Sequence, residues 1–196
     1  MKNNRSGQAA IISDAEYIKI RRAVPVENKK YRLLLDIARY TGERWGAIVQ
    51  LAVSDVYDTQ WQPHDSITFR AATRKADPNG KRHTRQVPLH PQLRELLEAY
   101  RPSLASNWLF PSPIYPSEHI TLKAADLMLR GAIAAANLTH KGFSTHSTRR
   151  TFITYLYNRG VDLHTIQLIT GHQDLKSLIR YVEADPDRVK KAIAVL

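Results

Sequence analysis

Three polar motifs in the last third of the chain have residue types and spacing suited to chemistry on a phosphate ester. His146 and Arg149 stand three positions apart, Gly171 and His172 are adjacent, and Tyr181 follows nine residues after His172. Arginine offers a planar fork of donors that matches phosphate oxygens, and helix N-termini favour anions. A tyrosine can act as a covalent nucleophile once neighbouring groups activate it. The stretch therefore predicts a site for attack on a phosphodiester.

Such an attack makes demands that the chain meets with cationic side chains. Negative charge that grows on the non-bridging oxygens needs positioned donors. A phenol, whose pKa is about 10, needs a base or a cationic surrounding, and the leaving 5′ oxygen needs an acid. No His, Asp or Glu set stands at metal-ligand spacing in the sequence, so metal-assisted hydrolysis is poorly supported and we expect no cofactor.

The composition points to a polyanionic partner. The 196 residues include 29 basic and 18 acidic ones, a net charge of +11, and lysine and arginine release counterions when they neutralise phosphates. The alternative is a basic soluble protein without such a partner. There is no cysteine, which fits a reducing compartment, and no apolar run approaches the roughly 20 residues that cross a bilayer. We expect a soluble, cytoplasmic protein with no membrane partner.

Helical patterns precede the middle of the chain. Ser13 and Glu16 form a capping-box pattern that predicts a helix to about Ala23. A second helix is predicted for Glu27–Thr41 and a third for Glu43–Leu51. Arg44 would then lie in the first turn of the third helix, where the alternative is an ordinary solvated arginine.

The middle of the chain changes to a β pattern. Three strands are predicted, at Val53–Tyr57, Ser66–Ala71 and Thr84–Leu89, with a turn at residues 77–80 between the last two. Basic residues on or beside this hairpin are candidates for DNA contact: Lys75, and also Arg74, Lys81, Arg82 and Arg85. Except for Lys75, the alternative is a merely solvated charged hairpin.

The last part returns to helices. The predicted ones are Pro91–Tyr100, Ile120–Ala136, a helix from Ser144 or Ser147 to Asn158, a helix from Asp162 to Ile169, and Asp174–Glu183. In the second of these, Leu122, Leu127, Leu129 and Ile133 are the predicted core residues. The pattern predicts an α+β protein, mostly helical with a small three-stranded antiparallel sheet. Residues 1–12 are predicted to be a disordered lead-in and residues 13–196 one domain.

These residues together resemble the catalytic domain of the tyrosine recombinases, the phage-integrase and Xer family. Residues 41–44, Thr-Gly-Glu-Arg, resemble its T-G-x-R motif, and Lys75 matches its β-hairpin lysine. Residues 146–149 match H-x-x-R, residues 171–172 match G-H, and Tyr181 occupies the place of the nucleophile. Each motif alone is weak evidence for the family. All six positions occur in the family's order and with near-standard spacing, which makes the resemblance specific, and it extends from about residue 13 to residue 184.

The resemblance implies a role for each of the six residues. Arg44, Arg149 and His172 would bind the scissile phosphate, while Tyr181 would attack it and form a 3′-phosphotyrosyl link. Lys75 would protonate the leaving 5′ oxygen and His146 would assist proton transfer. The bond energy would stay in the ester, so the family needs neither ATP nor metal. The implied activity is site-specific DNA recombination or integration, of the kind that mobile elements use.

The resemblance also implies the partners. These are double-stranded DNA with a specific recombination site and a homotetramer on that DNA, while we expect the free protein to be mostly monomeric. In the family, a C-terminal segment docks on the neighbouring protomer, and residues 184–196 would be that segment.

Two residues depart from the family pattern. The family usually has an acidic residue three positions after its first arginine, where this chain has Ala47, and Arg150 replaces a frequent histidine. The missing acid normally supports the arginine, so another group would have to hold Arg44. The N-terminal DNA-binding domain of most members has no counterpart here, which leaves an excised catalytic domain or a naturally short member, like the fimbrial-switch invertases.

Two other functions share these motifs. A DNA-binding regulator that has lost catalysis is one, for which Ala47 is the only hint in the sequence. A DNA-relaxing enzyme of the type IB topoisomerase kind is the other, and strand exchange between two duplexes separates it from a recombinase.

Overall fold

The computed structural model describes residues 9–76, 79–172, 175–181 and 193–194. The chain divides into two compact units, Met1–Phe152 and Ile153–Leu196. The helices of the described part are α1 (Asp14–Ala23), α2 (Lys29–Thr41), α3 (Trp45–Ile48), α4 (Pro91–Ala99), α5 (Leu122–Ala135), α6 (Thr145–Asn158), α7 (Leu163–Thr170) and α8 (Leu175–Ile179). Two strands, β1 (Ser66–Phe69) and β2 (Arg85–Pro88), form an antiparallel pair. This mostly helical α+β architecture with a small sheet was predicted.

The start of the first unit is fixed by side chains of α6. The predicted capping box is present, since the Ser13 hydroxyl accepts from the Glu16 amide and the Glu16 carboxylate accepts from the Ser13 amide. Just before it, the buried Ile12 donates its amide to Thr151 Oγ1 at 2.8 Å. Arg150 donates to the carbonyl of residue 9 at 3.1 Å. Residues 9–12, predicted to belong to the lead-in, are therefore packed, while residues 1–8 lie outside the described ranges.

The core of the first unit lies between helices. α1 packs against α5, and α2 packs against both α3 and α4. The α5 helix buries Ala125, Leu129, Ala132 and Ile133, a stripe at helical spacing. Leu122 and Leu127 lie off this stripe and are 47% and 70% exposed. Leu129 and Ile133 were therefore predicted correctly as core residues, whereas the prediction for Leu122 and Leu127 was wrong.

The sheet of the described chain has two strands rather than three. Ser66 pairs with Pro88 and Phe69 with Arg85. The predicted first strand, Val53–Tyr57, is instead a 3₁₀ turn at Val53–Asp55. The Asp55 carboxylate accepts the Ala52 amide at 2.8 Å, and the Tyr57 amide donates to the Val53 carbonyl at 2.8 Å. A side chain that bonds the nearby backbone stabilises a turn over a strand, which is why the predicted strand does not form here.

The second unit begins within α6 and contains α7 and α8, which contact each other. α6 ends in a Schellman motif, in which the Gly160 amide donates to the Tyr157 carbonyl and the Val161 amide to the Leu156 carbonyl. Asp162 caps α7, with its carboxylate accepting the Thr165 amide at 2.9 Å, and Gly171 ends that helix. These stops were predicted. The last predicted helix is shorter than expected, and Tyr181 lies in a turn just after it, while residues 182–183 lie outside the described ranges.

Candidate active site

The loop after α2 carries the first arginine motif and has a tightly determined backbone. Thr41 ends the helix, and its hydroxyl donates to the Ile37 carbonyl at 2.7 Å and accepts the Glu43 amide at 3.2 Å. Gly42 adopts φ +58°, and a Cβ there would lie 2.3 Å from Phe152 Cδ1. A glycine is therefore required both by the left-handed backbone and by the close approach of α6.

Glu43 lies at the centre of a buried cluster of arginines. Its side chain is 1% exposed. One carboxylate oxygen, Oε1, accepts the Arg44 amide at 2.7 Å and lies 3.7 Å from Arg149 NH1. The other, Oε2, accepts from Arg74 Nε at 3.2 Å and lies 3.4 Å from Arg85 NH1. A single carboxylate thus joins the loop after α2, the hairpin and α6.

The ionisation of this cluster follows from its surroundings. Burial opposes the charged form of Glu43, but the guanidiniums of Arg85, Arg149 and Arg74 and the Arg44 amide outweigh it and hold the pKa of the carboxyl below its usual value. Burial also lowers the pKa of Arg85 to about 10, although the Glu43 carboxylate acts in the opposite direction. Glu43 is therefore an anion, surrounded by more positive charge than it neutralises.

The Arg44 residue is only half-buried, unlike Glu43 before it. It is the N-cap residue of α3, not a first-turn residue of a longer helix as predicted. The residue is half-buried, and its guanidinium has no hydrogen-bond or ion-pair partner among the described residues. Glu43 contacts Arg44 only through the backbone amide. A half-buried cation without a partner favours an anion from outside the chain.

Arg149 is held from α6. It is 2% exposed, and its NH1 donates to the Gly42 carbonyl at 2.8 Å. The adjacent Thr148 accepts the indole N–H of Trp45 at 3.0 Å, which ties α6 to α3. The second arginine of the predicted site therefore contacts the loop that carries the first. His146, one helical turn before Arg149, is exposed and has no side-chain partner in the described part of the chain.

The hairpin places its basic residues in two environments. Lys75 is exposed and its ammonium has no partner within the described ranges, whereas Arg74 just before it is buried. Lys81 and Arg82 are exposed, and Arg82 donates to the Ala72 carbonyl at 2.8 Å.

For two of the predicted DNA-contacting residues, Arg74 and Arg85, the structure gives a buried position instead of an exposed one. Arg74 donates to Glu43 and to the His83 carbonyl, and Arg85 donates to the Thr41 carbonyl at 3.0 Å. Both are buried, so they do not belong to an exposed DNA-binding surface. Both guanidiniums pair with the buried Glu43 carboxylate instead of facing solvent. Part of the predicted turn, residues 77–78, lies outside the described ranges.

The second unit holds the remaining two predicted residues side by side. The rings of His172 and Tyr181 have centroids 5.6 Å apart. Thr154 on α6 donates to the Tyr181 carbonyl at 3.1 Å, which fixes the turn that carries the phenol. His172 is buried, and its Nδ1 lies 2.6 Å from Thr170 Oγ1. The Tyr181 hydroxyl has no hydrogen-bond partner among the residues that the structure describes.

The predicted residues are therefore found in two groups. In the first unit, Arg149, the Arg44 amide and Arg74 meet at Glu43, with Lys75 next to Arg74. In the second unit, His172 adjoins Tyr181. Glu43 and Thr170 were not predicted as site residues. The only sequence feature that could have pointed to Glu43 is its charge at the variable position of the T-G-x-R motif. No sequence feature pointed to Thr170.

The described residues hold neither a metal-binding cluster nor a membrane span. They contain no group of three or more His, Cys, Asp or Glu residues arranged to hold a metal ion. No helix among them is long and apolar enough to span a membrane.

Comparison with known proteins identifies the family. The sequence model of the phage integrase family matches residues 12–188. Tyrosine recombinase XerD of Brucella suis biovar 1 (strain 1330) is 31% identical over 117 residues, which cover 56% of this chain and 38% of XerD. A putative integrase/recombinase of Sinorhizobium fredii (strain NBRC 101917 / NGR234) is 30% identical over 161 residues, covering 82% of this chain and 48% of that protein. The chain thus matches less than half the length of these relatives.

Solved structures share the fold. XerA recombinase superposes with a TM-score of 0.74 at 22% identity, over 95% of this chain and 65% of that one. The catalytic domain of bacteriophage HP1 integrase gives a TM-score of 0.66 at 19% identity, over 95% of both chains. XerH bound to its difH substrate gives 0.69 at 21% identity, over 98% of this chain and 56% of that one. With the family model matching most of its length, the chain belongs to the phage integrase family.

Proposed function

We propose that this chain is a DNA strand transferase that carries out site-specific recombination through a 3′-phosphotyrosyl intermediate. The observation that carries the proposal is the Arg44 guanidinium, which is half-buried and without an acidic partner in the described chain although a carboxylate is adjacent in sequence. The exposed Lys75 ammonium, which also has no partner among the described residues, supports it. Both cations suit an anion that the protein does not itself supply, and a DNA phosphate is the anion on which the family acts.

In the proposed reaction the Tyr181 oxygen bonds to phosphorus and the bond from phosphorus to the 5′ oxygen breaks. Arg44, Arg149 and His172 stabilise the charge on the non-bridging oxygens. Lys75 gives a proton to the leaving 5′ oxygen, and the phenol proton leaves with the help of His146. The 5′ hydroxyl of another strand reverses these steps, so the ester keeps the bond energy and the chain needs no nucleotide cofactor.

The experiment is adduct formation on nicked DNA. A pool of nicked duplexes, randomised around the nick, supplies the unknown recognition site, and a denaturing gel detects protein bound covalently to DNA. Wild-type protein should form an adduct whose DNA, once sequenced, defines the site. If no adduct appears across the pool, the catalytic proposal fails.

The wider assembly is also a proposal. DNA with a specific site and a homotetramer on two duplexes are what the family implies, with residues 13–196 acting as the catalytic domain. Removing residues 186–196 should leave binding to a single site intact and impair strand exchange. Strand exchange between two duplexes, rather than relaxation of one plasmid, would separate a recombinase from a topoisomerase-like enzyme.

The alternative function, a DNA-binding regulator that has lost catalysis, predicts DNA binding without adduct in the nicked-duplex experiment. The only sequence feature that favours this alternative is Ala47, which stands where the family usually has an acidic residue. Glu43 supplies a buried carboxylate to the same loop, where it accepts the Arg44 amide and lies beside Arg74, Arg85 and Arg149.

A further inference from the structure

We infer that Glu43 is a positioning residue for catalysis, which holds Arg149 and the base of the hairpin ahead of Lys75. The inference rests on the proposed function, because it assigns Glu43 a part in the same reaction. Glu43 itself has no contact with the reacting atoms in this assignment; it acts through the residues that do.

The two oxygens of the carboxylate serve two different elements. Oε1 receives the Arg44 amide at 2.7 Å and lies 3.7 Å from Arg149 NH1, so it faces the two arginines of the motifs. Oε2 receives Arg74 Nε at 3.2 Å, and Arg74 in turn donates to the His83 carbonyl at 2.8 Å across the base of the hairpin. Since Lys75 directly follows Arg74, the same carboxylate orders the start of the segment that carries the proposed acid.

Position 47 offers no such group. Ala47 is buried at 3% exposure, and its methyl group has no charge or acceptor. Glu43 instead reaches the cluster from the residue before Arg44, on a loop whose backbone Thr41 and Gly42 fix. Glu43 thus brings a carboxylate to Arg74, Arg85 and Arg149 from the residue before Arg44.

The charge of the cluster makes the carboxylate necessary. Arg74, Arg85 and Arg149 are each buried, and the Glu43 carboxylate lies within 4 Å of all three. Without its negative charge, three guanidiniums would repel one another where little water screens them. Arg149 would keep its bond to the Gly42 carbonyl but lose the attraction of the Glu43 carboxylate. A small displacement of a group that binds the reacting phosphate has a large effect on rate, about 100-fold for 1 Å.

A purely structural role for Glu43 is the competing explanation. In that case Glu43 would serve only as a counter-ion that lets Arg85 be buried. Glu43→Gln tests the charge but risks unfolding, because it leaves buried cations without their acid. The double variant Glu43→Gln/Arg85→Gln removes one of those cations and keeps an amide donor near the Thr41 carbonyl. The net charge of the cluster is then the same as in wild type, but the carboxylate is absent.

The readouts are thermal stability, DNA affinity and the single-turnover rate of adduct formation on the nicked duplexes that wild type selects from the randomised pool. We expect the double variant to fold and to bind DNA as wild type does, yet to form adduct about 100-fold more slowly. Glu95→Gln, at an exposed residue of α4, changes the net charge by the same amount as the single variant Glu43→Gln and should match wild type in all three readouts.

A double variant that forms adduct at the wild-type rate would overturn the inference and leave only the counter-ion role. Glu43→Gln that cleaves at the wild-type rate would overturn it as well. In both cases wild type still forms adduct, so the proposed function stands. Failure of wild type to form any adduct is a different result, which removes the proposed function and this inference together.

Discussion

Thr170 and His172 share a short hydrogen bond that fixes which ring nitrogen carries a proton. Thr170 Oγ1 lies 2.6 Å from His172 Nδ1 and 2.6 Å from the Ile166 carbonyl. A carbonyl oxygen only accepts, so the single hydroxyl proton lies toward Ile166, and Nδ1 is the donor to Thr170. For His172 to donate also from Nε2 to a phosphate oxygen, the ring has to be the doubly protonated imidazolium.

The first prediction follows from that bond. Thr170→Val removes the acceptor while keeping the branched shape, and we expect adduct formation to slow by about 5- to 10-fold, the equivalent of one hydrogen bond. Thr170→Ser keeps the hydroxyl and should stay near the wild-type rate. The measurement is the single-turnover rate across pH. A valine variant with the wild-type rate at every pH would show that the bond has no part in orienting His172.

The second prediction concerns the backbone of the T-G-E-R loop. Gly42→Ala should reduce the free energy of unfolding by about 3 kcal/mol, because it combines a left-handed φ with a clash against Phe152. Gly80→Ala is the matched control, since Gly80 has φ +78° and nothing within 4 Å of an added Cβ. It should cost only about 1 to 2 kcal/mol of conformational strain. Equal losses in urea unfolding would mean that the approach of Phe152 does not matter.

These elements show what the sequence predicted and what it did not. Helix caps depend on local residue types, so they could be predicted from the sequence. The structure confirms the predicted starts at Ser13 and Asp162 and the predicted stops at Gly160 and Gly171. The strand predicted at Val53–Tyr57 was wrong because one aspartate side chain favoured a turn.

The site was predictable as an ordered set of motifs, but its supporting residues were not. The buried ion cluster joins Glu43 to arginines that lie 31, 42 and 106 positions away. Contacts that distant in sequence leave no periodic pattern. The burial of Arg74 and Arg85 could not be inferred from local sequence for the same reason.

The third prediction is the dependence of stability on pH. The folded pKa of Glu43 lies below its usual value of 4.5, so its ionised form stabilises the fold. That contribution is complete above the usual pKa and is lost as pH falls through the lower, folded pKa. The stability difference between wild type and Glu43→Gln should therefore be largest near neutral pH and shrink below about pH 4. Urea unfolding over a pH series measures it, and a difference that does not change with pH would contradict the assignment.

The fourth prediction concerns the exposed cations of the hairpin. Replacing the exposed Lys81 or Arg82 with glutamine should weaken DNA binding and lower the slope of log affinity against log salt by about 0.9 for each phosphate that the variant no longer neutralises. Arg22→Gln, an exposed arginine on α1, provides a control outside the hairpin. If the hairpin variants and the control show the same slope as wild type, the hairpin makes no phosphate contact.

The most direct test of the central claim is the identity of the residue that becomes linked to DNA. Adduct from the nicked-duplex pool can be digested and its phosphotyrosyl peptide located by mass spectrometry, with Tyr181→Phe as the matched variant. We predict a 3′-phosphotyrosyl link at Tyr181 and, for Tyr181→Phe, DNA binding with no adduct. An adduct that persists in Tyr181→Phe, or that maps to Tyr155 or Tyr157 on α6, would contradict the account.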